Sequence, residues 1–116
     1  MGLIRIGAWL EMTKVFVYGS LMTNRHYHLY YLQGKTFLGK GFINEYKRYI
    51  IGGGMEGILP NKEEHVQGEV YEVDPATLAK LDFLHNNGTL FNRRLVEVEL
   101  ENGETLQADA YIWNGK

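Results

Sequence analysis

The sequence predicts an α+β fold, with a curled, mainly antiparallel sheet or small barrel and two short helices. Three observations carry this. Apolar runs rich in β-branched and aromatic residues recur along the chain and give about six or seven strands. Most of these strands follow one another in hairpin order. Two stretches carry helical start and stop signals.

Taken in order, Lys14 to Tyr18, "KVFVY", is a buried strand that ends in a turn at Gly19-Ser20. Thr23 is placed to cap a helix over Asn24 to Leu32, stopped by Gly34. Tyr27, Tyr30 and Tyr31 stand at i, i+3 and i+4 of that helix, a spacing that packs it onto a sheet. Two strands follow, Thr36 to Ile43 and Tyr46 to Ile51, and then the run "GGGMEGILP". "VQGEVYEV", Val66 to Val73, is a further strand. "DPATLAKLDFL" is the clearest helix: Asp74 caps it, Pro75 takes the first helical position, and Asn86-Asn87-Gly88 stop it. The last segment is a hairpin. Val96, Val98 and Leu100 alternate with charges, Asn102-Gly103 turns, and Leu106, Ala108, Ala110 and Ile112 alternate on the return.

Composition bounds the function. The 116 residues suit one domain, and 45% hydrophobic with 22% charged residues describes a soluble globular chain. Cysteine is absent, which excludes disulfides and thiolate metal sites. A formal net charge of −2 argues against nucleic-acid and anionic-membrane partners. The apolar start "MGLIRIGAWLE" is interrupted by Arg5 and lacks a small-residue cleavage site, so a cytoplasmic location is the default expectation. Residues 1–11 read as an N-terminal extension and 12–116 as the domain, with an extra edge strand as the other reading of the start.

Several motifs fail on physical grounds. Gly52, Gly54 and Gly57 match G-x-G-x-x-G, but Ile58-Leu59-Pro60 follows where a dinucleotide site needs a helix. His26 and His28 stand at i and i+2, on different faces of a helix, and His65 lies in a polar stretch. No metal and no cofactor is expected. Asn87-Gly88-Thr89 is a glycosylation sequon only in a secreted chain.

The informative stretch is "VFVYGSLM". A strand ends in Tyr18-Gly19-Ser20-Leu21, and a glycine turn there lets backbone N–H groups converge on an anion. A plain strand-to-helix turn is the competing reading. With this stretch the chain resembles the γ-glutamylcyclotransferase-like family, which includes γ-glutamylamine cyclotransferases and plant AIG2-like proteins. Tyr18, Gly19, Ser20 and Leu21 match its Tyr-Gly-Thr/Ser-Leu signature in full. "VQGEVYEV", "LAKLDFL", "FNRRLVEVEL" and "ADAYIW" resemble further family segments, in order, from about Met12 to Trp113. Phe91 stands in place of a family tyrosine, and Arg93 is kept.

The resemblance implies a small mixed, mainly antiparallel β-barrel flanked by the two short helices. It also implies an acyltransferase reaction on a small γ-glutamyl substrate. The free α-amine attacks the side-chain amide carbonyl, giving 5-oxoproline and a released amine or amino acid. Tyr18 to Leu21 would bind the substrate. The family's base is a glutamate that follows the helix's Leu-Asp pair after two residues; here Leu81-Asp82 leads to His85. The loop "MTNRHYH" also lacks the family's glycine and Asn-His pair, with His28 matching the histidine, and "GGGMEG" lacks its Tyr-Pro-Gly.

His85 therefore carries two readings. Leu78, Leu81 and His85 share a helix face, so the ring points inward, either held by a backbone carbonyl with no task or facing the ligand cavity as the proton acceptor. The helix C-terminus favours the charged ring and burial the neutral one. Glu69 and Glu56 are the other candidate bases: Glu69 holds a position the family also shows and reads as structural, whereas Glu56 is peculiar to this chain. A binding module for a small anionic ligand, retaining the cavity without the chemistry, is the alternative function.

Overall fold

The structure, a computed structural model, describes residues 11–25, 27–53 and 55–115. The extension proposed for the start, apart from Glu11, and one member of the His26/His28 pair, His26, lie outside the described residues.

The strands are β1 (Thr13–Val17), β2 (Thr36–Gly52), β3 (Met55–Val73), β4 (Phe91–Leu100) and β5 (Thr105–Trp113). They close a barrel in the order β1-β3-β2-β4-β5. The β1–β5 join is parallel, at Val15 and Asp109, and the other pairings are antiparallel. Outside the barrel lie α1 (His28–Tyr31) and α2 (Pro75–Leu84).

Alternation along β1 explains why its apolar run is continuous. Successive side chains point to opposite faces. Phe16 and Tyr18 join Val66, Val70, Val98 and Ala110 in one cluster. Val15 and Val17 join Leu21, Leu81, Phe91 and Tyr111 in the other, beneath α2. The strand is buried on both faces, so a polar residue has no place between Val15 and Tyr18.

The two strands expected over Thr36 to Ile51 are one. Glu45 takes a left-handed φ of 68° and stands alone opposite Asn61 to Glu64, so β2 bends at a bulge without ending. "GGGMEGILP" forms the hairpin tip and then the start of β3. Gly57 and Ile58 continue as strand, so no helix follows the glycines.

The helix expected over Asn24 to Leu32 is corrected to the single turn of α1. Asn24 adopts φ 66°, which is left-handed, and Thr23 turns its amide and hydroxyl to Glu69 instead of capping. Tyr27 and Tyr31 still pack edge to face, 6.1 Å apart, but Tyr30 is exposed. The second helix is as expected. The Asp74 carboxylate accepts from the Thr77 amide at 3.1 Å, Pro75 opens α2, and Asn86 and Gly88 take positive φ beyond its end.

Candidate functional site

The site is built where β1 leaves the barrel. After Tyr18 the chain makes a 3-10 turn over Gly19–Leu21, with Gly19 at φ 68° and the Met22 amide donating to the Gly19 carbonyl at 3.1 Å. Leu21 is buried and anchors the turn in the cluster under α2. Tyr18 is buried, and its hydroxyl donates to the Tyr111 carbonyl at 2.6 Å. Burial first, and the nearby Glu56 charge second, raise the Tyr18 pKa far above the usual phenol range, so the hydroxyl stays protonated.

The His28 ring braces the turn from outside. Its Nδ1–H donates to the Leu21 carbonyl at 3.1 Å, and the ring lies 5.6 Å from that of Tyr71. Glu69 is buried beneath the same segment. It accepts from the Thr23 amide at 2.8 Å, the Thr23 hydroxyl at 3.1 Å and the Tyr71 hydroxyl at 3.1 Å. These bonds give Glu69 the structural task read from the sequence: it ties the loop after Leu21 to β3.

His85 ends α2 as its C-cap residue. Its ring is sandwiched: it stacks on Tyr111 with centroids 3.8 Å apart and planes 2° from parallel, and meets Phe91 edge-on at 5.2 Å. Nδ1 lies 2.7 Å from the Leu81 carbonyl, which only accepts, so Nδ1 carries the proton and Nε2 the lone pair. Ser20, Leu21, Glu56, His85 and Tyr111 line one cavity of about 20 Å³. The structure thus brings the signature turn and His85 together, and it adds Glu56 and Tyr111.

Burial pushes the His85 imidazole down from 6.5 to about 4, against the raising effects of the Leu81 bond and the Asp82 charge. Burial therefore outweighs the helix C-terminus. Linkage fixes the consequence. Between these two values the unfolded chain binds more protons than the folded one, so this contribution is complete above pH 6.5 and is lost as pH falls through about 4. The loss amounts to about 3 kcal/mol. Urea unfolding at pH 7 and pH 4 checks this, because His85→Gln should lack that part of the slope.

An ionic network fixes the stacking platform. Arg93 Nε donates to Asp82 at 2.9 Å and Nη1 to Asp109 at 2.8 Å, while the Tyr111 hydroxyl donates to Asp82 at 2.6 Å. Asp82 belongs to α2, Arg93 to β4, and Asp109 and Tyr111 to β5, so one guanidinium ties the helix to the barrel. Each of the three charged side chains is between 20% and 28% exposed. Arg93→Ala leaves two carboxylates facing each other and should cost about 2 kcal/mol, measured as a lower urea midpoint.

Sequence reasoning missed Tyr111 and Asp109 as part of this site. Their signal was present in "ADAYIW", where Asp109 and Tyr111 share the face opposite Ala108 and Ala110.

Comparison with known proteins agrees with this architecture. Residues 15–116 match the family model described as γ-glutamyl cyclotransferase, AIG2-like. A provisionally named γ-glutamylcyclotransferase of Methanocaldococcus jannaschii is 36% identical over 108 residues, covering 88% of this chain and 85% of its own length. A γ-glutamylcyclotransferase family protein of Escherichia coli K12 is 36% identical over 84 residues, 72% of each chain. Among solved structures, an AIG2-like protein of Mus musculus has a TM-score of 0.80 at 27% identity, over 91% of this chain and 80% of its own. An uncharacterised Pyrococcus horikoshii protein has a TM-score of 0.68 at 32% identity, over 90% and 80%. The chain belongs to the γ-glutamylcyclotransferase, AIG2-like family.

Proposed function

We propose that this protein cyclises a γ-glutamyl group to 5-oxoproline and releases an amine or amino acid, with His85 as the proton acceptor. The observation that carries the reading is the single cavity shared by the Tyr18–Leu21 turn and the His85 ring. The substrate is held folded, so that its amine and its side-chain carbonyl approach. The amide N–H groups of the turn serve its carboxylate and the developing oxyanion. His85 Nε2 takes a proton from the α-ammonium, and the freed nitrogen attacks the carbonyl carbon. A ring C–N bond forms and the original amide C–N bond breaks. The proton returns from Nε2 to the departing nitrogen, so no water is consumed.

His85 suits this task in one respect and differs from a glutamate in another. A conjugate acid near pH 4 gives it the basicity of an ordinary carboxylate, whose reference value is about 4.3. It is therefore neutral and ready to accept a proton at pH 7. It lacks the negative charge that would attract an ammonium group. That missing charge is what favours the second reading, a module that binds a small anion without turning it over.

Incubation with γ-glutamyl dipeptides and γ-glutamyl amines, followed by chromatography for 5-oxoproline, tests the proposal. If His85 is the acceptor, the acid limb of kcat falls near pH 4 and not near 6.5. Binding without release across the panel would support the second reading instead.

A further inference from the structure

Glu56 lines this cavity, and the reaction above gives it no task. Its carboxylate carbon lies 2.8 Å from the point where a Cβ on Gly19 would stand, and both oxygens lie 2.9 Å from it. The carboxylate thus rests against the bare Cα of Gly19. On its other side, Arg48 Nε is 3.0 Å and an Arg25 guanidinium nitrogen 3.6 Å away. The Glu56 side chain is 15% exposed, whereas the two arginines are about half exposed at 48% and 52%.

The cavity beside Glu56 measures only about 20 Å³, room for about one water molecule. A γ-glutamyl group is far larger, so part of the wall must withdraw before it enters. Glu56 is the wall residue best placed to do so. It lies next to the β2–β3 tip, where Gly52 and Gly53 hold φ of 119° and 60°. When it withdraws, Arg25 and Arg48 lose their carboxylate. The same arginines line a second cavity of about 460 Å³, together with Lys47 and Glu64. Three cations there face one carboxylate.

We propose that Arg25 and Arg48 form a carboxylate subsite, occupied in this structure by Glu56, that receives a carboxylate on the leaving portion of the ligand. The inference rests on the γ-glutamyl reading and narrows it. The ligands of choice are γ-glutamyl amino acids and peptides, not γ-glutamyl derivatives of neutral or cationic amines. A charge-assisted bond to a guanidinium supplies the discrimination.

Calorimetric titration with γ-glutamylglycine and γ-glutamylethylamide tests it, since the two differ in the leaving carboxylate and little in size. The wild-type protein should bind γ-glutamylglycine at least about tenfold more tightly. The ratio should shrink to about twofold in Arg25→Ala/Arg48→Ala, whose positions are exposed enough to leave folding intact. Glu56→Gln should tighten γ-glutamylglycine more than the ethylamide, because only the former gains the freed arginines. Equal wild-type affinities, or a ratio that survives loss of both arginines, would overturn the inference alone. If neither compound binds, the γ-glutamyl reading falls and the inference falls with it.

Discussion

His85→Ala should lower 5-oxoproline release by about 10²- to 10⁴-fold, the usual contribution of a positioned general base. The effect should fall on kcat more than on KM. In this account the ground-state carboxylate is held by the backbone amides of the Tyr18 to Leu21 turn, which the substitution leaves in place. His85→Ala also removes a buried ring, so its far-ultraviolet circular dichroism must match the parent before the rates are compared. His85→Glu separates chemistry from packing. It places a carboxylate, the family's own base, in the same position and should retain activity within about tenfold of the parent. If the parent is a binding module, His85→Glu instead gains turnover that the parent lacks.

The second large effect is on stability. Gly68→Ala should destabilise the barrel by about 3 kcal/mol or more, at the upper end of overpacking costs. An alanine Cβ there would lie 2.3 Å from the Val17 carbonyl oxygen and 2.6 Å from the edge of the Phe16 ring. Neither neighbour yields easily: the first is backbone, and the second is a fully buried ring in the barrel core. Relief requires β1 and β3 to separate at Val17, the residue from which the chain enters the Tyr18–Leu21 turn. Urea unfolding should show the lower midpoint. Whatever folded protein remains should bind γ-glutamyl ligands less tightly, because the turn has moved.

The fold was legible where local rules and tertiary packing agree. The cap at Asp74, the proline at the first helical position and the stop at Asn86 to Gly88 all act within one turn of chain, and they gave α2 its bounds. Alternation in "VEVEL" and "LQADAYI" likewise gave the β4–β5 hairpin. The region after Leu21 was not legible, because its decisive partner is distant. Thr23 looks like a helix cap until Glu69, 46 residues on, takes both its amide and its hydroxyl. The continuity of β2 was hidden for a similar reason. The sequence divides the strand between Ile43 and Tyr46, yet the bulged partner segment of β3 carries it through Glu45.

The site divides in the same way. The signature turn is contiguous, so four residues in a row revealed it. His85 was placed by counting along one helix, and its inward face by its spacing from Leu81. The balance between helix terminus and burial needed the rings of Phe91 and Tyr111, which arrive from β4 and β5. Glu56 reads in sequence as a candidate base peculiar to this chain, in a loop that shows none of its partners. Only the closed hairpin brings it against Gly19 and between the arginines.

The central claim is that the turn and His85 together cyclise a γ-glutamyl group. The most direct test incubates the wild-type protein with γ-glutamyl dipeptides and amines at its organism's growth temperature and quantifies both products. The account predicts 5-oxoproline and free amine in equal amounts, formed in proportion to protein and lost in His85→Ala. No 5-oxoproline from any member of the panel, or an undiminished yield from His85→Ala, would contradict it.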